Sequence, residues 1–257
     1  MYNELTSRNV GLLTPEEQES IRKLKVGIAG CGMGSFIAES LTRLGVGKVI
    51  IADPDKVEIS NLNRQSFYIC EVDQNKALTI QRRLRMINPE IDVIAWPEAI
   101  TPHNASRFVK MCDIVIDAID PLPQGIVVSK EVAKECLNDN KYFLYPIDIG
   151  WGALLLTFDS NKIGFGEIVK DGHPTEMLNN LVSFVQSLIQ LQDYIVKIWE
   201  KFQRKELQHY PQPITASLTA ATLVSTVIVK IAKREAPPFL MYFDPYSSIF
   251  VSKNREY

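Results

Sequence analysis

Lys25-Val26-Gly27-Ile28-Ala29-Gly30-Cys31-Gly32-Met33-Gly34-Ser35 decides the fold. An apolar run of strand length passes through closely spaced glycines into a segment of helical period at about 33–44, the order of a βα unit. Glycine permits a tight turn and close backbone approach, so the N–H groups that open the helix can face a phosphate. The next apolar run, Lys48-Val49-Ile50-Ile51-Ala52-Asp53, ends in an acid. At about twenty residues beyond such a glycine loop, a strand-end carboxylate can accept hydrogen bonds from ribose hydroxyls. Gly30, Gly32, Gly34 and Asp53 together point to a nucleotide, although a close strand–helix crossing also calls for glycines. The GxGxG spacing differs from the GxGxxG of dehydrogenases and does not by itself separate ATP from NAD.

Outward from this stretch, strand-like runs recur at 92–97, 113–119 and 141–150, and their near-continuous apolar character says buried on both faces. Helical segments fit between them at 73–87, 103–111 and 124–138, with Asp73 or Asn75 as N-cap of the first. The alternation predicts an α/β fold, a doubly wound, Rossmann-like and mostly parallel sheet, with helical and β additions in the C-terminal half. Those additions are a strand at 153–158, one long helix from about 174 to 205, a buried helix from about 216 to 233, and a closing hairpin of 239–245 with 247–251. Leu178, Leu181, Val185, Leu188 and Ile189 read as the packing face of the long helix, against the sheet or a second subunit. The chain is read as one domain: an N-terminal arm and helix (1–24), a nucleotide-binding core (25–150), and a substrate-side and dimerisation region (151–257).

Composition narrows the function classes. The 28 basic and 30 acidic residues leave a net charge of -2, which calls for neither a nucleic-acid nor a membrane partner. No unbroken apolar run reaches about 18 residues, and the first residues are too polar for a signal peptide, so a cytoplasmic protein is expected. Cys31, Cys70, Cys112 and Cys136 show no CxxC spacing, so no zinc is expected. His103, His173 and His209 are scattered and form no catalytic or metal pattern.

Asp53-Pro54-Asp55-Lys56-Val57-Glu58-Ile59-Ser60-Asn61-Leu62-Asn63-Arg64-Gln65 follows the second strand, with Lys76 and Ile87-Asn88-Pro89 beyond it. Together with GCGMGS, this resembles the ThiF/MoeB/HesA family, which includes activating enzymes for ubiquitin-like proteins. The likeness covers roughly the first 150 residues, with a weaker echo in the last forty. It implies an ATP-dependent adenylyltransferase that activates a carboxylate as acyl-AMP and releases pyrophosphate. The acceptor would be a ubiquitin-like protein, a peptide or a small acid.

The same resemblance implies roles for particular residues. Gly30, Gly32, Gly34, Asp53, Asp55, Asn61 and Gln65 would hold the nucleotide, while Arg64 and Lys76 would meet the charge that builds on the phosphates. Asp120 would hold Mg2+, although Pro121 stands where the family has Asn and an Asp before Pro also shapes turns. Arg8, in Ser7-Arg8-Asn9, would act across a homodimer, or is simply an exposed cation of the arm. The glycine loop is one residue shorter than the family's GxGGxG. No cysteine follows Cys136, so the chain lacks the second-half thiol used by members that form thioesters. A non-catalytic partner subunit and an NAD-dependent oxidoreductase remain as alternatives.

Overall fold

The strand-like and helical runs fold into one eight-stranded sheet in a computed structural model that describes residues 1–122, 124–159 and 164–254. The chain opens with α1 (Tyr2–Leu5), a 3-10 turn at Ser7–Asn9 and α2 (Pro15–Lys23). Thr14 starts α2: its hydroxyl accepts the Glu17 N–H at 3.2 Å, the Glu17 carboxylate accepts the Thr14 N–H at 2.9 Å, and Pro15 presets the first helical φ. There follow β1 (Lys25–Ala29), α3 (Gly34–Leu44), β2 (Lys48–Ala52), α4 (Lys76–Ile87), β3 (Asp92–Trp96), α5 (Ala105–Lys110), β4 (Ile114–Asp117) and α6 (Gly125–Asn138). The second half supplies β5 (Tyr142–Ile149), β6 (Gly152–Phe158), α7 (Phe165–Val169), α8 (Pro174–Leu188), α9 (Asp193–Gln203), α10 (Ile214–Ala232), β7 (Leu240–Asp244) and β8 (Ile249–Lys253). The loop expected after Phe158 lies partly outside the described residues.

The strand order is β3-β2-β1-β4-β5-β6-β7-β8. Strands β3 to β5 pair in parallel, and β5 to β8 pair antiparallel. One core, with Ile37, Leu41, Ile80, Leu84 and Val224, fills the face covered by α3, α4 and α10. The other, with Phe108, Val132, Phe165, Leu181 and Val185, lies under α5 to α8. The chain runs outward in opposite directions from β1 and β4, so the crevice past their C-terminal ends is the topological switch point where ligands of such sheets bind.

One expectation changes. The helix expected over 174–205 is two helices, broken at Ile189–Gln192. Ile189 leaves the helix with extended dihedrals and a side chain only 5% exposed, and the Gln192 side chain accepts a hydrogen bond from the Tyr242 hydroxyl. Tertiary anchoring, with no Pro or Gly nearby, ends α8. Helix α10 meets the length and apolarity needed to cross a membrane, although polar residues interrupt it. In the fold it is a core helix: Ala216, Ala220 and Ala221 let it approach α3, β5 and β6 closely.

Candidate functional site

The glycine loop divides into packing and binding positions. Gly30 has φ +90°, and a Cβ there would lie 2.4 Å from the Ala118 carbonyl oxygen, where the chain leaves β4. At Gly34 a Cβ would meet Ile28 at 2.9 Å. Both glycines serve the strand–helix crossing. A Cβ on Gly32 would meet only the Gln65 side chain, at 3.3 Å. Met33 at the N-cap of α3 offers no side-chain acceptor, so the helix opens with backbone N–H groups available to an anion.

Asp53 stands just past β2, 5% exposed, with both carboxylate oxygens engaged. Oδ2 accepts the Cys31 N–H at 2.6 Å and Oδ1 accepts the Asp55 N–H at 2.8 Å. Burial raises its proton affinity, and these hydrogen bonds oppose that rise. Asp53 therefore also latches the glycine loop to the loop after β2. Reading it as a ribose ligand alone omits this, and Asp53→Ala is expected to cost roughly 1–3 kcal/mol of folding stability as well as ATP affinity, because the buried Cys31 N–H and the partly buried Asp55 N–H lose their acceptor. Urea unfolding alongside ATP titration measures both, and unchanged stability would remove the latch role.

Lys76 opens α4, where Asn75 rather than Asp73 is the cap, accepting the Leu78 N–H at 3.0 Å. The Lys76 side chain is 9% exposed, and its ammonium sits 3.3 Å from the Asp55 carboxylate, its single ion partner among the described residues. An ammonium carries three donors, so most of its capacity is unspent beside the cleft.

The Asn61–Gln65 turn lies against the glycine loop. The Ser35 hydroxyl makes the join: it donates to the Gly32 carbonyl at 2.7 Å and accepts the Ser66 N–H at 2.9 Å. Asn61, 7% exposed, accepts the Glu58 N–H at 3.0 Å through Oδ1. Gln65 Oε1 is buried without a hydrogen-bond partner. Arg64 donates to Gln212 Oε1 (2.9 Å), the Ser60 carbonyl (2.9 Å) and Asn63 Oδ1 (3.0 Å), all neutral acceptors. Among the described residues no carboxylate forms an ion pair with it, and Asp148 is the acid near enough to feel its charge.

Asp117 and Asp120 differ sharply. Asp117 is wholly buried at the end of β4; one oxygen accepts the Ile119 N–H at 3.0 Å, and the other has no partner. Burial pushes its carboxyl up to about 7. The folded state thus holds a proton that the unfolded chain releases near pH 4, so this group lowers stability as pH rises from about 4 to about 7, by about 1.4 kcal/mol per pH unit. Asp117→Asn is expected to flatten that decline in chemical unfolding measured across the window; an unchanged slope would count against it. Asp148, also pushed up to about 7, acts with the same sign and leaves a residual slope.

Asp120 is exposed on the cleft wall and accepts the Leu122 N–H at 3.0 Å, the turn-shaping role open to an Asp before Pro. No group of three His, Cys, Asp or Glu side chains converges among the described residues. Magnesium bound to nucleotide phosphates needs only one or two protein carboxylates, so Asp120 fits that demand.

These residues line one open cleft of about 1280 Å³: Gly30, Gly32, Asp53, Asp55, Asn61, Arg64, Gln65, Lys76 and Asp120 all border it, whereas Gly34 and Arg8 do not. Arg8 is exposed on its 3-10 turn. The far wall comes from α8 and α9, including Leu181, Val185 and Trp199, so the helix expected to pack only on the sheet or a second subunit also shapes the cavity. Asp148 borders the cleft too, and sequence reasoning passed over it, because one acid inside an apolar strand carries no motif. Burial pushes the Cys31 and Cys136 thiols well up and Cys112 to about 12, while exposed Cys70 lies outside the cleft.

Comparison with known proteins agrees with this geometry. The chain is 38% identical over 117 residues to the sulfur carrier protein adenylyltransferase of Thermus thermophilus, covering 45% of this chain and 43% of that protein. It is 37% identical over 131 residues to the tRNA threonylcarbamoyladenosine dehydratase of Bacillus subtilis, covering 50% and 52% respectively. The chain spans about half the length of these curated relatives. The fold matches E. coli MccB solved with ATP at a TM-score of 0.69 and 21% identity, over 93% of this chain and 66% of that one. The model of the ThiF family matches residues 6–252, and the chain therefore belongs to that family.

Proposed function

We propose that the chain is an ATP-dependent adenylyltransferase that activates a carboxylate as its acyl adenylate. The observation that carries this is a pair of cations with unspent capacity, Arg64 and Lys76, facing a glycine loop at the switch point of the sheet. ATP lies with its phosphates toward Gly32 and the start of α3 and its ribose toward Asp53. A carboxylate oxygen of the acceptor attacks the α-phosphorus; the bond from that phosphorus to the bridging oxygen breaks, and pyrophosphate leaves with the electron pair. Arg64 and Lys76 meet the charge that grows on the departing phosphates. Asn61 donates its amide N–H to a phosphate or ribose oxygen, Gln65 lies against the loop beneath, and Asp55 holds Lys76 in place. Magnesium, held by Asp120, neutralises phosphate charge when bound.

No thiol step is part of the proposal: three cysteines are buried with raised proton affinity, and the exposed fourth does not border the cleft. The adenylate passes to an external nucleophile. The acceptor is the C-terminus of a ubiquitin-like protein, as the name of the Thermus relative suggests, or a peptide or small acid. The exposed Arg8 and the partly exposed Ile214 and Leu218 of α10 suit a cytoplasmic homodimer in which Arg8 reaches the partner's cleft. ATP–pyrophosphate exchange over a panel of carboxylates is the test. Exchange with at least one acid supports the reading; ATP binding with no exchange would favour a non-catalytic subunit, and binding of NAD in place of ATP an oxidoreductase.

A further inference from the structure

Strand β5 outruns its parallel neighbour. Its pairing with β4 stops at Ile116 opposite Leu144, so Tyr145–Ile149 continue beside the cleft with β6 on one side. Asp148 lies on this projecting end and borders the cleft. Its Oδ1 is buried with no donor in hydrogen-bond geometry; the buried Ser217 hydroxyl lies close enough to favour the ionised carboxylate but completes no hydrogen bond to it. Arg64, the cation close to Asp148, spends its hydrogen bonds on Gln212, Ser60 and Asn63, and no ion pair joins the two. A buried acceptor left without a donor costs stability unless a ligand supplies one. Burial holds the Asp148 carboxyl up at about 7 against the opposing pull of Arg64, and a donor cation placed in contact would draw it further down.

The wall beyond is apolar. Leu181, Val182 and Val185 of α8 and Ile195, Val196 and Trp199 of α9 face the same cleft. This wall is fixed rather than loose: α9 is tied to the sheet by the Tyr194 hydroxyl, which donates to Asp244 at 2.8 Å and accepts the Trp151 N–H at 3.2 Å. An acceptor tail of glycines would leave such a surface unfilled, whereas a branched or aromatic side chain would bury it.

Resting on the adenylation reading above, we infer that the activated carboxylate is flanked by a nitrogen-borne proton donor, received by Asp148, and by a large apolar side chain, seated against α8 and α9. An apolar amino acid and a peptide ending in one share this chemistry. Asp148 is then a specificity residue: it touches the substrate's nitrogen and takes no part in breaking the phosphate bond.

The test compares pyrophosphate exchange with L-leucine, N-acetyl-L-leucine, 4-methylpentanoate, which is leucine without its nitrogen, and N-acetylglycylglycine. Leucine or its N-acetyl form should exceed both other acids by at least about ten-fold in kcat/KM, the scale of one unpaired buried polar group. Preference between these two separates a free amino acid from a peptide terminus. Asp148→Leu, close in size and without an acceptor, should erase the advantage over 4-methylpentanoate, chiefly through KM, with ATP affinity maintained and the melting temperature not lowered. Val182→Trp, which fills the apolar wall, should cut leucine turnover while 4-methylpentanoate falls in parallel. Exchange greatest with N-acetylglycylglycine would overturn the inference and leave adenylation standing. Loss of ATP affinity in Asp148→Leu, with the nitrogen preference intact, would assign Asp148 to Arg64 and equally overturn it. ATP binding without exchange for any acid in a wide panel would remove the adenylation reading and this inference together.

Discussion

Arg64→Ala is expected to slow adenylate formation by about 10²–10³-fold, the effect of removing one preorganised donor aimed at developing charge. ATP affinity should change far less, because on the proposed reading the ground-state triphosphate would also be held by backbone N–H groups, Lys76 and a metal. The side chain is suited to this role by what it lacks: its hydrogen bonds go to Gln212, Ser60 and Asn63, none of which carries charge. In the proposed reaction a guanidinium held by neutral acceptors would meet the leaving pyrophosphate without first breaking an ion pair. Arg64→Lys keeps the charge and loses the fork, so it should recover only part of the rate. Single-turnover release of pyrophosphate with a cognate acid, beside equilibrium ATP binding, gives both quantities. A wild-type rate in Arg64→Ala would leave the cleft without its proposed chemistry.

The second large effect is on folding. Gly30→Ala should destabilise the chain by about 3 kcal/mol or more, through left-handed strain and a backbone collision together. The added Cβ would stand 2.4 Å from the Ala118 oxygen at φ +90°, and neither strand end can retreat, since the Gly30 N–H donates to the Ala52 carbonyl and the Ala118 N–H to the Ala29 carbonyl, each at 2.8 Å. Gly32→Ala should behave differently: its nearest neighbour is the movable Gln65 amide, so the fold survives while phosphate approach suffers. Guanidinium unfolding and ATP titration of the two variants separate these outcomes. Equal stability of Gly30→Ala and the wild type would show that the crossing can relax.

The first half was legible because its signals are local. Strand, glycine loop, helix and acidic strand end follow one another within a few turns of chain, and the structure places Gly30, Gly32, Asp53 and the Asn61–Gln65 turn on one cleft. Gly34 lies off the cleft wall, and spacing cannot tell a glycine that borders a ligand site from one whose Cα packs on Ile28. The break between α8 and α9 was invisible since its cause, Gln192 held by Tyr242 of β7, lies far along the chain. Asp148 was missed for a related reason: its significance depends on β5 outrunning β4, a matter of register between strands that no periodicity records. Asp53 was recognised, but its hold on the Cys31 N–H could not be read from an acid at a strand end.

The central position of β6 has a bearing on how this chain is made. Every residue of β6 is buried, and its two neighbours arrive at very different times. Strand β5 is joined to it through Gly150 and Trp151, so that hairpin can form as soon as both strands leave the ribosome. Its other partner, β7, follows only after α7, α8, α9 and α10. Throughout that interval the growing polypeptide carries a bare, largely apolar strand edge, the kind of template on which nascent chains stick to one another. Translation that stalls before Leu240 therefore yields a species prone to aggregate and in need of chaperones, and codon choice or holdase supply across α7 to α10 should govern soluble yield more than anything in the glycine-loop half.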